Sequence, residues 1–546
     1  MTKAEIGQRV SGSLRTLSMG PRGLAALAAS GIIQPYGPAT LGRLAHTLAR
    51  WGSGPAGGYR TLAVRYPDEV GLVDERGALT FGDIDRRSNA IADSLAALGV
   101  REGDHVAVMC RNHRGFVDAT VGAGKLGADV LYLNTAFAAP QIAEVLQREE
   151  PRAVVYDEEF TELIDKSETD ALRIVAWCDS DEVTHETLDR LAERGSQADR
   201  PVPGRQGRTV ILTSGTTGTP KGATRGEGGQ FGAAVALLST IPLRHRWTCH
   251  IAAPLFHTWG WAHMQLGMLL GSTIVLRRRF DPEDCLAVTQ QHACDSLAVI
   301  PVMMQRIMEL PKEVRSAYTL DSVKVVAASG SALPGDLAES WMDEFGDTLY
   351  NIYGSTEVAW ATIASPGDLR LAPGTAGRPP MGTVVRLYDD EGKPVPEGEP
   401  GRIFVGNSML FEGYTGGGSK DEIDGLMATG DIGRFDDHGR MFIEGRDDEM
   451  IVSGGENVYP AEVEDCLVRH PEVVEAAAIG VEDEKFGQRL RAFVVVRNRD
   501  SISEDDLREH VKSHLARYKV PRDVAFLDEL PRNATGKVLK RDLDTD

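Results

Sequence analysis

The spacing of apolar positions along the chain predicts helices that alternate with short buried strands. Between Tyr59 and about Gly204, a helical period over 88–98, ended by Gly99, is followed by apolar runs at 105–110, 130–133, 153–156 and 174–177. A second block has similar runs at 249–253, 273–276, 297–300 and 323–328. Short apolar runs between helices are typical of strands in a largely parallel sheet, so this pattern predicts an α/β architecture.

The pattern changes after Pro373. Short strands are predicted at 384–388 and 402–405, on either side of a turn at 393–401 that is rich in proline and glycine. Beyond residue 446, strands at 475–479 and 492–496 and a helix near 503–515 predict a small α+β domain. Because a chain of 546 residues is too long for one hydrophobic core, we expect at least two domains.

The first 58 residues contain one clear apolar run, at 24–33. Ten residues are too few to span a bilayer. A secretory signal is disfavoured because the run starts late and Pro21 precedes it. We interpret the run as a helix that either packs on the domain or lies on a membrane surface, and the sequence leaves both alternatives open.

Composition narrows the functional classes. The 80 acidic and 59 basic residues give a net charge of −21, which argues against non-specific nucleic-acid binding but not against ATP, since local loops decide that. The six cysteines are scattered, with no CxxC pair and no histidine nearby in the sequence in a ligand-like pattern. We therefore expect unpaired, mostly buried thiols in a reducing compartment, and neither a disulfide scaffold nor a metal site.

The sequence 122–127 matches the glycine pattern of a dinucleotide-binding loop. It is predicted to lie within or at the end of a helix and before a strand, which is the reverse of the order that such a loop requires. We interpret Gly122, Gly124 and Gly127 as positions of close helix packing.

A stronger candidate follows the apolar run 210–212. The ten residues 213–222 contain four threonines, three glycines and a serine, so they offer many N–H and O–H donors with little side-chain bulk, and Lys221 adds a positive charge. The segment is not a Walker A loop, because Pro220 replaces its second glycine and Gly222 replaces its metal-binding hydroxyl. The predicted phosphate-binding residues are Thr213, Ser214, Gly215, Thr216, Thr217, Gly218 and Lys221.

Other motifs lie at the ends of predicted strands. Small residues at Ser329, Gly330 and Ser331 would allow flat contact with a ligand. In the sequence 353–357, Tyr353 can stack on a purine, the hydroxyl of Thr356 can bind a phosphate oxygen, and Glu357 can bind Mg²⁺. The aromatic segment 254–261 contains His257, Trp259 and Trp261, and the later motifs contain Asp431, Arg446, Gly454, Gly455 and Lys537.

These motifs, in this order, resemble those of the adenylate-forming enzymes, which include acyl-CoA synthetases, luciferases and peptide-synthetase adenylation domains. The chain is most similar to bacterial fatty acyl-CoA synthetases. The resemblance implies an N-terminal extension (1–58), a large domain of two α/β subdomains and a distorted β-barrel (59–446), and a small mobile α+β C-terminal domain (447–546).

The resemblance also implies a reaction in two halves. A carboxylate attacks the α-phosphate of ATP to give acyl-AMP and pyrophosphate, and the thiol of CoA then displaces AMP. The 213–222 loop would hold the β- and γ-phosphates, and Thr217 and Glu357 would hold Mg²⁺. Thr356 would hold the α-phosphate, and Lys537 would bridge it to the attacking carboxylate.

Further roles are carried over from the family in the same way. Tyr353 and the strip that includes Ser329, Gly330 and Ser331 would hold adenine, and Asp431 and Arg446 would bind the ribose. His257, Trp259 and Trp261 would line the acyl channel, and Gly454 and Gly455 would border the pantetheine path. Asp448 would be the hinge on which the small domain turns.

We expect a medium- to long-chain fatty acyl-CoA synthetase. The alternatives are an aryl-acid CoA ligase, an acyl-AMP ligase that loads a carrier protein, and a non-catalytic acyl-nucleotide sensor. Small molecules, and not nucleic acids, are the expected partners, and the cytoplasm is the expected location. A peripheral position on the inner face of the membrane and a homodimer are both left open.

Overall fold

The computed structural model describes residues 20–180, 183–213, 221–224, 230–411, 413–414, 419–447, 451–453, 456–458, 460–483, 487–515, 519–533 and 536–543. Its α-helices are α1 Gly20–Ser30, α2 Pro38–Trp51, α3 Pro55–Arg65, α4 Phe81–Ala97, α5 Arg114–Gly124, α6 Ala139–Glu149, α7 Thr161–Asp165, α8 Leu188–Arg194, α9 Gln230–Leu238, α10 Thr258–Leu270, α11 Pro282–Gln291, α12 Pro301–Met308, α13 Lys312–Arg315, α14 Gly335–Phe345, α15 Pro366–Leu371, α16 Pro460–Val468 and α17 Glu504–His514.

The strands of the two large sheets come first in the chain. They are β1 Val70–Asp74, β2 Gly77–Thr80, β3 His105–Met109, β4 Asp129–Tyr132, β5 Ala153–Asp157, β6 Leu172–Trp177, β7 Glu186–Thr187, β8 Thr209–Thr213, β9 Lys221–Thr224, β10 Thr248–Ile251, β11 Thr273–Val275, β12 Ser296–Val299, β13 Val325–Ala328, β14 Leu349–Tyr353 and β15 Thr362–Ala364. The later strands are β16 Val384–Tyr388, β17 Gly401–Gly406, β18 Gly413–Tyr414, β19 Glu422–Ile423, β20 Leu426–Phe435, β21 Met441–Arg446, β22 Ile451–Ser453, β23 Glu456–Val458, β24 Val473–Asp483, β25 Gly487–Val496 and β26 Asp523–Phe526.

Two eight-stranded sheets form the large N-terminal domain. One has the order β15-β14-β13-β12-β10-β11-β1-β2 and the other the order β18-β9-β8-β4-β3-β5-β6-β7. The central strands pair in parallel, and antiparallel strands occur at the edges. The predicted α/β architecture is confirmed, and the predicted strands differ from the observed ones by only a few residues at their ends.

The helix predicted at 88–98 is the second half of α4, which begins earlier than the apolar period indicated. Thr80 caps it, with its hydroxyl accepting from the N–H of Asp83 while the Asp83 carboxylate accepts from the N–H of Thr80. This reciprocal cap satisfies donors that a helix start otherwise leaves unpaired. A cap formed by side chains can therefore extend a helix beyond its apolar stretch.

Helix α5 packs closely against α4 at the glycine pattern 122–127. A β-carbon on Gly122 would lie 2.8 Å from Cγ2 of Ile91, so only glycine fits there. The segment ends α5 and precedes β4. A β-carbon on Gly124 would lie 3.4 Å from that of Ala56 in α3, so helix packing is confirmed for Gly122 and Gly124, whereas Gly127, with a φ of 72°, lies after the helix and faces Pro203 and Arg205. Next to it, the buried ammonium of Lys125 donates to the carbonyl and carboxylate oxygens of Asp85 and to the side-chain oxygen of Asn89.

The remaining two sheets are smaller. An antiparallel five-stranded sheet, β16-β17-β20-β19 with β21 beside β20, forms a half-barrel. The last sheet has the order β23-β22-β25-β24, with β26 parallel to β25, and α16 and α17 pack on it to form the small C-terminal domain.

The apolar run near the N-terminus lies in α1, which packs on the large domain. Leu27 is buried against residues of α9, such as Val235, whereas Leu24 on the same helix is 59% exposed. Among the described residues, no helix combines the length and the apolar character needed to cross a bilayer.

Two buried histidines, His250 in β10 and His263 in α10, and the partly exposed His257 just before α10 have lowered pKa values. Burial lowers the pKa of His250 to about 3, with help from the charges of Arg277 and His292, and lowers the pKa of His257 and His263 to about 4. Neither ring nitrogen of His263 has a hydrogen-bond partner among the residues that the structure describes. All three side chains are therefore neutral at neutral pH.

We predict that replacing His263 weakens the acid sensitivity of the fold. An unfolded histidine takes up a proton near pH 6.5, but the folded one does so only near pH 4, so stability is lost as pH falls between these values. Each such group contributes a slope of up to about 1.4 kcal/mol per pH unit. Melting temperatures from pH 7.5 to 4.5 should fall less steeply for His263→Leu than for wild type. His438→Ala, at an exposed position, is the control, and equal slopes for all three proteins would contradict the prediction.

Candidate active site

The motif residues meet at one edge of the first large sheet. Strands β10, β12, β13 and β14 are neighbours that pair in parallel, so their carboxyl ends point the same way. The segments that follow these strands contain His257, Val302, Ser329 and Thr356. Ligands of open α/β sheets bind at this edge, and here a cavity of about 2370 Å³ opens over it.

Thr356 and Glu357 line this cavity directly after β14. The hydroxyl of Thr356 lies 3.1 Å from that of Thr258, the first residue of α10. Ser355 Oγ accepts from the backbone N–H of Glu357, and the carbonyl of Glu357 accepts from the N–H of Phe411. These bonds fix the turn, so a hydroxyl and a carboxylate are both presented to the cavity. Such oxygen ligands suit a hard cation such as Mg²⁺.

The strip 329–331 lies beside this turn. Ser329 Oγ donates to the carbonyl of Ile352 in the neighbouring strand, and Gly330 has a φ of 101°. Ser329, Gly330 and Ser331 all line the cavity together with Tyr353. The structure thus brings together the small residues and the tyrosine that the sequence predicted as an adenine site.

Asp431 lies at the centre of a polar cluster on the half-barrel. Asp431 and Arg446 are cross-strand partners on β20 and β21, and Arg446 Nη1 donates to the carboxylate at 3.1 Å. Tyr353 donates its phenolic O–H to the other oxygen at 2.5 Å. Burial raises the pKa of Asp431, while the charges of Arg446 and Lys537 and the tyrosine bond oppose that rise. The site therefore presents a carboxylate oriented from two sides.

Lys537 reaches this cluster from the C-terminal domain. Its exposed side chain lines the cavity, and its backbone N–H donates to the Asn533 side chain. The turn that carries it fits against α12: Gly536 has a φ of 79°, and a β-carbon there would lie 2.3 Å from Cγ1 of Val302. In this arrangement of the two domains, a lysine is placed at the cavity next to Asp431.

The aromatic segment 254–261 divides between the cavity and the core. His257 and Trp259 line the cavity, and Trp259 Nε1 donates to the carbonyl of Val299 at 2.9 Å. Trp261 was predicted to line the channel with them, but it packs in the core, with its ring centroid 5.1 Å from that of Tyr132. Successive residues of a helix are rotated by about 100°, so two residues two positions apart point to opposite sides.

The predicted phosphate-binding segment is described only at its two ends, and some other predicted site residues are not described. Thr213 and Lys221 are paired in the β8–β9 hairpin, so the phosphate-loop segment connects two adjacent strands. Ser214, Gly215, Thr216, Thr217, Gly218, Asp448, Gly454 and Gly455 are not described.

One part of the cavity wall was not predicted from the sequence. Leu27, Ile32, Leu48, Thr61 and Arg65, all from the N-terminal helices or the loop after α1, line the cavity. They face residues of α9 and α10. The apolar run at 24–33 indicated that a helix there buries one of its faces. It did not indicate which residues that face would contact.

Comparison with known proteins identifies the family. A model of the AMP-binding enzyme family matches residues 59–415, and a model of the C-terminal domain of AMP-binding enzymes matches residues 462–537. The chain belongs to the AMP-binding enzyme family. The predicted resemblance to adenylate-forming enzymes is thereby confirmed.

The relatives include ligases for different acids. A feruloyl-CoA synthase from Amycolatopsis sp is 34% identical over 85% of this chain and 93% of its own length. The long-chain-fatty-acid–CoA ligase FadD13 from Mycobacterium tuberculosis is 31% identical over 85% of this chain and 92% of its own length. The structure of o-succinylbenzoate CoA synthetase from Bacillus subtilis with its acyl-adenylate intermediate is similar, with a TM-score of 0.77, 27% identity, and coverage of 90% of this chain and 98% of that one.

This family member is an AMP-forming acid–thiol ligase. In such a reaction both the carboxylate and the nucleotide are anions, so the site must align them and offset their charge. Lys537 and Arg446 supply positive charge at the cavity, and the hydroxyl of Thr356 supplies a hydrogen-bond donor. None of these groups needs to form a covalent bond to the substrate.

We predict that Gly536→Ala slows acyl-adenylate formation. The new methyl group would collide with Val302 across the two domains, and overpacking of this kind costs about 1–3 kcal/mol, or about tenfold in rate or more. Pyrophosphate release with saturating acid and ATP measures this half-reaction.

Two further variants separate the collision from backbone strain. Gly439 has a φ of 71° with open space around its α-carbon, so Gly439→Ala carries the same strain without the collision and should leave the rate unchanged. Adding Val302→Ala to Gly536→Ala should recover part of the rate. An unchanged rate for Gly536→Ala itself would show that this domain contact is not used in adenylation.

Proposed function

We propose that this ligase activates a medium- to long-chain fatty acid as acyl-AMP, with Mg²⁺-ATP, and transfers the acyl group to CoA. The observation that supports this choice of acid is the reach of the apolar part of the cavity. It extends away from Thr356 between α9 and α10 and ends at residues of the N-terminal helices.

Helix α10 forms one side of this apolar arm. Thr258, Ala262, Gln265 and Leu269 all line the cavity, and their spacing places them on one face of the helix. The eleven residue steps from Thr258 to Leu269 correspond to a rise of about 16 Å along the helix. Ala233, Ala234 and Leu237 of α9 line the same cavity, so an alkyl chain would lie between the two helices.

The far end of the arm has apolar residues together with Thr61 and Arg65. Leu27, Ile32 and Leu48 line it from the N-terminal side, and Met268 from α10. An aryl acid needs only the part of the cavity near His257 and Trp259, whereas an alkyl tail would use this additional length. The low pKa of His257, about 4 because of burial, keeps its ring uncharged beside such a tail.

The catalytic roles are those that the resemblance to adenylate-forming enzymes implies, and they are supported by five residues that line the cavity, Lys537, Thr356, Glu357, Asp431 and Arg446. Lys537 would bridge the acid carboxylate and the α-phosphate, Thr356 would bind the α-phosphate, and Glu357 would hold Mg²⁺ with Thr217. Asp431 and Arg446 would bind the ribose hydroxyls, next to the adenine contacts of Tyr353 and the 329–331 strip. The 213–222 loop would hold the outer phosphates.

The second half-reaction would use a rotated C-terminal domain. We propose that the domain turns at Asp448 and brings Gly454 and Gly455 to the pantetheine path. The support for this is that Lys537 occupies the cavity in the present arrangement, so the surface needed for CoA must replace it.

Lys537→Ala should separate the two half-reactions. Removing the positive charge between two anions should lower adenylation by about a hundredfold or more, while thioester formation from acyl-AMP supplied directly is largely retained. Asp448→Pro should do the opposite, because proline restricts φ and would resist the rotation. Pyrophosphate release and loss of CoA thiol are measured separately for each variant.

Lys512→Ala is the matched control, since Lys512 is an exposed lysine of the same domain that pairs with Glu509. It should leave both half-reactions unchanged. Equal loss of both half-reactions in Lys537→Ala and Asp448→Pro would refute the rotation while leaving the ligase activity intact.

Gln265→Trp should shorten the acids that the enzyme accepts. The indole would fill the arm part-way along α10, so kcat/KM should fall by about tenfold or more for long chains, as expected for steric exclusion, and stay near wild type for short ones. Gln265→Leu, which removes the amide but keeps the volume similar, should retain the long-chain activity. If both variants keep the wild-type preference, the alkyl chain does not lie between α9 and α10.

The second candidate is an aryl-acid CoA ligase, because the chain is 34% identical to a feruloyl-CoA synthase. Measuring CoA consumption over acids from acetate to very long chains, together with benzoate and cinnamate types, distinguishes the two. A preference for cinnamate types that Gln265→Trp leaves unchanged would favour this candidate over the fatty acid.

A further inference from the structure

Two helices of the C-terminal domain bring a cysteine and two histidines together. Cys466 lies in α16, and His510 and His514 lie one helical turn apart in α17. One ligand atom from each of the three residues lies within 4.8 Å of the others. The cluster belongs to α16 and α17, and none of its three residues lines the substrate cavity.

The hydrogen bonds of both histidines leave one ring nitrogen available for a metal ion. His510 Nε2 lies 3.0 Å from the carbonyl oxygen of Cys466, and His514 Nδ1 lies 2.8 Å from the carbonyl oxygen of His510. A carbonyl oxygen only accepts, so these nitrogens must carry the protons. The lone pairs are then on His510 Nδ1 and His514 Nε2. Because His510 Nε2 is the nitrogen that faces Cys466, the His510 ring has to turn before it can share an ion with the Cys466 thiol. Donation of the second ring N–H to a backbone carbonyl is typical of metal-ligating histidines.

Burial gives the cluster a closed side and an open side. Cys466 is 4% exposed, His510 is half-buried, and His514 is exposed. Burial raises the pKa of Cys466 and lowers the pKa of His510. The thiol is therefore protonated and His510 neutral at neutral pH, and an ion could enter from the side of His514.

The chemistry of the donors selects the class of metal. Thiolate and imidazole favour Zn²⁺ and related transition metals, whereas Mg²⁺ and Ca²⁺ prefer oxygen ligands. Tetrahedral Zn²⁺, with bonds of about 2.0–2.3 Å, places its ligand atoms about 3.3–3.5 Å from one another, so the three ligand atoms, now within 4.8 Å of one another, would have to come together to that spacing. His514 is exposed and can make that adjustment.

A nearby histidine is less suited to be the fourth ligand in this arrangement. The ring of His470 lies 5.0 Å from that of His510. Its Nδ1 accepts from the N–H of Glu472, which places the proton on Nε2 and leaves no free lone pair. A water molecule would then complete the coordination, as it does in zinc sites with three protein ligands.

A second cluster in the chain shows the contrast. Cys110, His113 and Asp157 are also close together, but Asp157 accepts from the N–H of Arg111 and from His113 Nε2, and His113 Nδ1 accepts from the N–H of Gly115. All three residues are fully buried. Both nitrogens of His113 are in use, so this cluster is a structural hydrogen-bond network.

We propose that Cys466, His510 and His514 form a binding site for a Zn²⁺-class ion that links α16 to α17. Binding converts the Cys466 thiol to a thiolate bonded to the ion and releases one proton to solvent. A bound ion stabilises the folded domain in proportion to its affinity. No sequence pattern predicts this site, because Cys466 is 44 residues away from His510 in the chain.

The test uses the purified full-length protein after treatment with a chelator. Titration with Zn²⁺ should show one equivalent bound and a rise in melting temperature, with excess Mg²⁺ unable to compete. With Co²⁺ as the probe, a thiolate-to-cobalt charge-transfer band should appear. Cys466→Ser should abolish the band, and His514→Ala should weaken binding by about tenfold or more, as for loss of a metal contact.

Cys178→Ser and His438→Ala are the matched controls, since Cys178 is a half-buried thiol and His438 an exposed histidine elsewhere in the chain. Both should bind Zn²⁺ and Co²⁺ as wild type does. Because His514 is exposed, His514→Ala retains the fold and tests the site even if Cys466→Ser does not fold. Unchanged Zn²⁺ affinity in His514→Ala, a cobalt band that persists in Cys466→Ser, or no binding by the wild-type protein would each overturn the proposal.

Discussion

Parallel pairing of β10, β12, β13 and β14 determines where the chemistry of this enzyme takes place. Strands that run in the same direction end at the same edge, so the segments that follow them are brought together although they are far apart in the chain. Thr356 and Thr258 are 98 residues apart, yet their hydroxyl groups lie 3.1 Å from each other. The half-barrel and the C-terminal domain then cover this edge and add Asp431, Arg446 and Lys537.

Asp431 of the half-barrel and Lys537 of the C-terminal domain are held in place by different kinds of contact. Asp431 is held by a neighbouring strand and by Tyr353 of the large domain, which makes its position part of the fold. Lys537 is held by the fit of Gly536 against Val302 and by hydrogen bonds within its own turn. In the proposed rotation the lysine would therefore leave the site with its domain, while the carboxylate would stay.

Much of the fold was predictable from the sequence because it depends on local patterns. Apolar runs such as 105–110 and 323–328 became strands within a few residues of their predicted ends, and two of the three glycines at 122–127, Gly122 and Gly124, proved to be helix contacts. The prediction that Trp261 lines the channel together with Trp259 was wrong, because residues two positions apart in a helix point to opposite sides. That could have been recognised from the sequence. What the N-terminal helices would face, and that Cys466 would meet His510, depends on tertiary packing between segments distant in the chain, which no local pattern encodes.

One face of helix α10 lines the cavity, and the opposite face packs in the core. Gln265 lines the cavity, whereas Trp261 and Met264 are buried among residues of both large sheets. Substitutions that change the acid preference through this helix therefore also affect folding. Helices α1 and α2 form the far wall of the same cavity with their outer sides in solvent, where Leu24 and Leu41 are exposed. If the acid lies in this cavity as proposed, substitutions that change the acid preference would disturb the core less in the N-terminal extension than in α10.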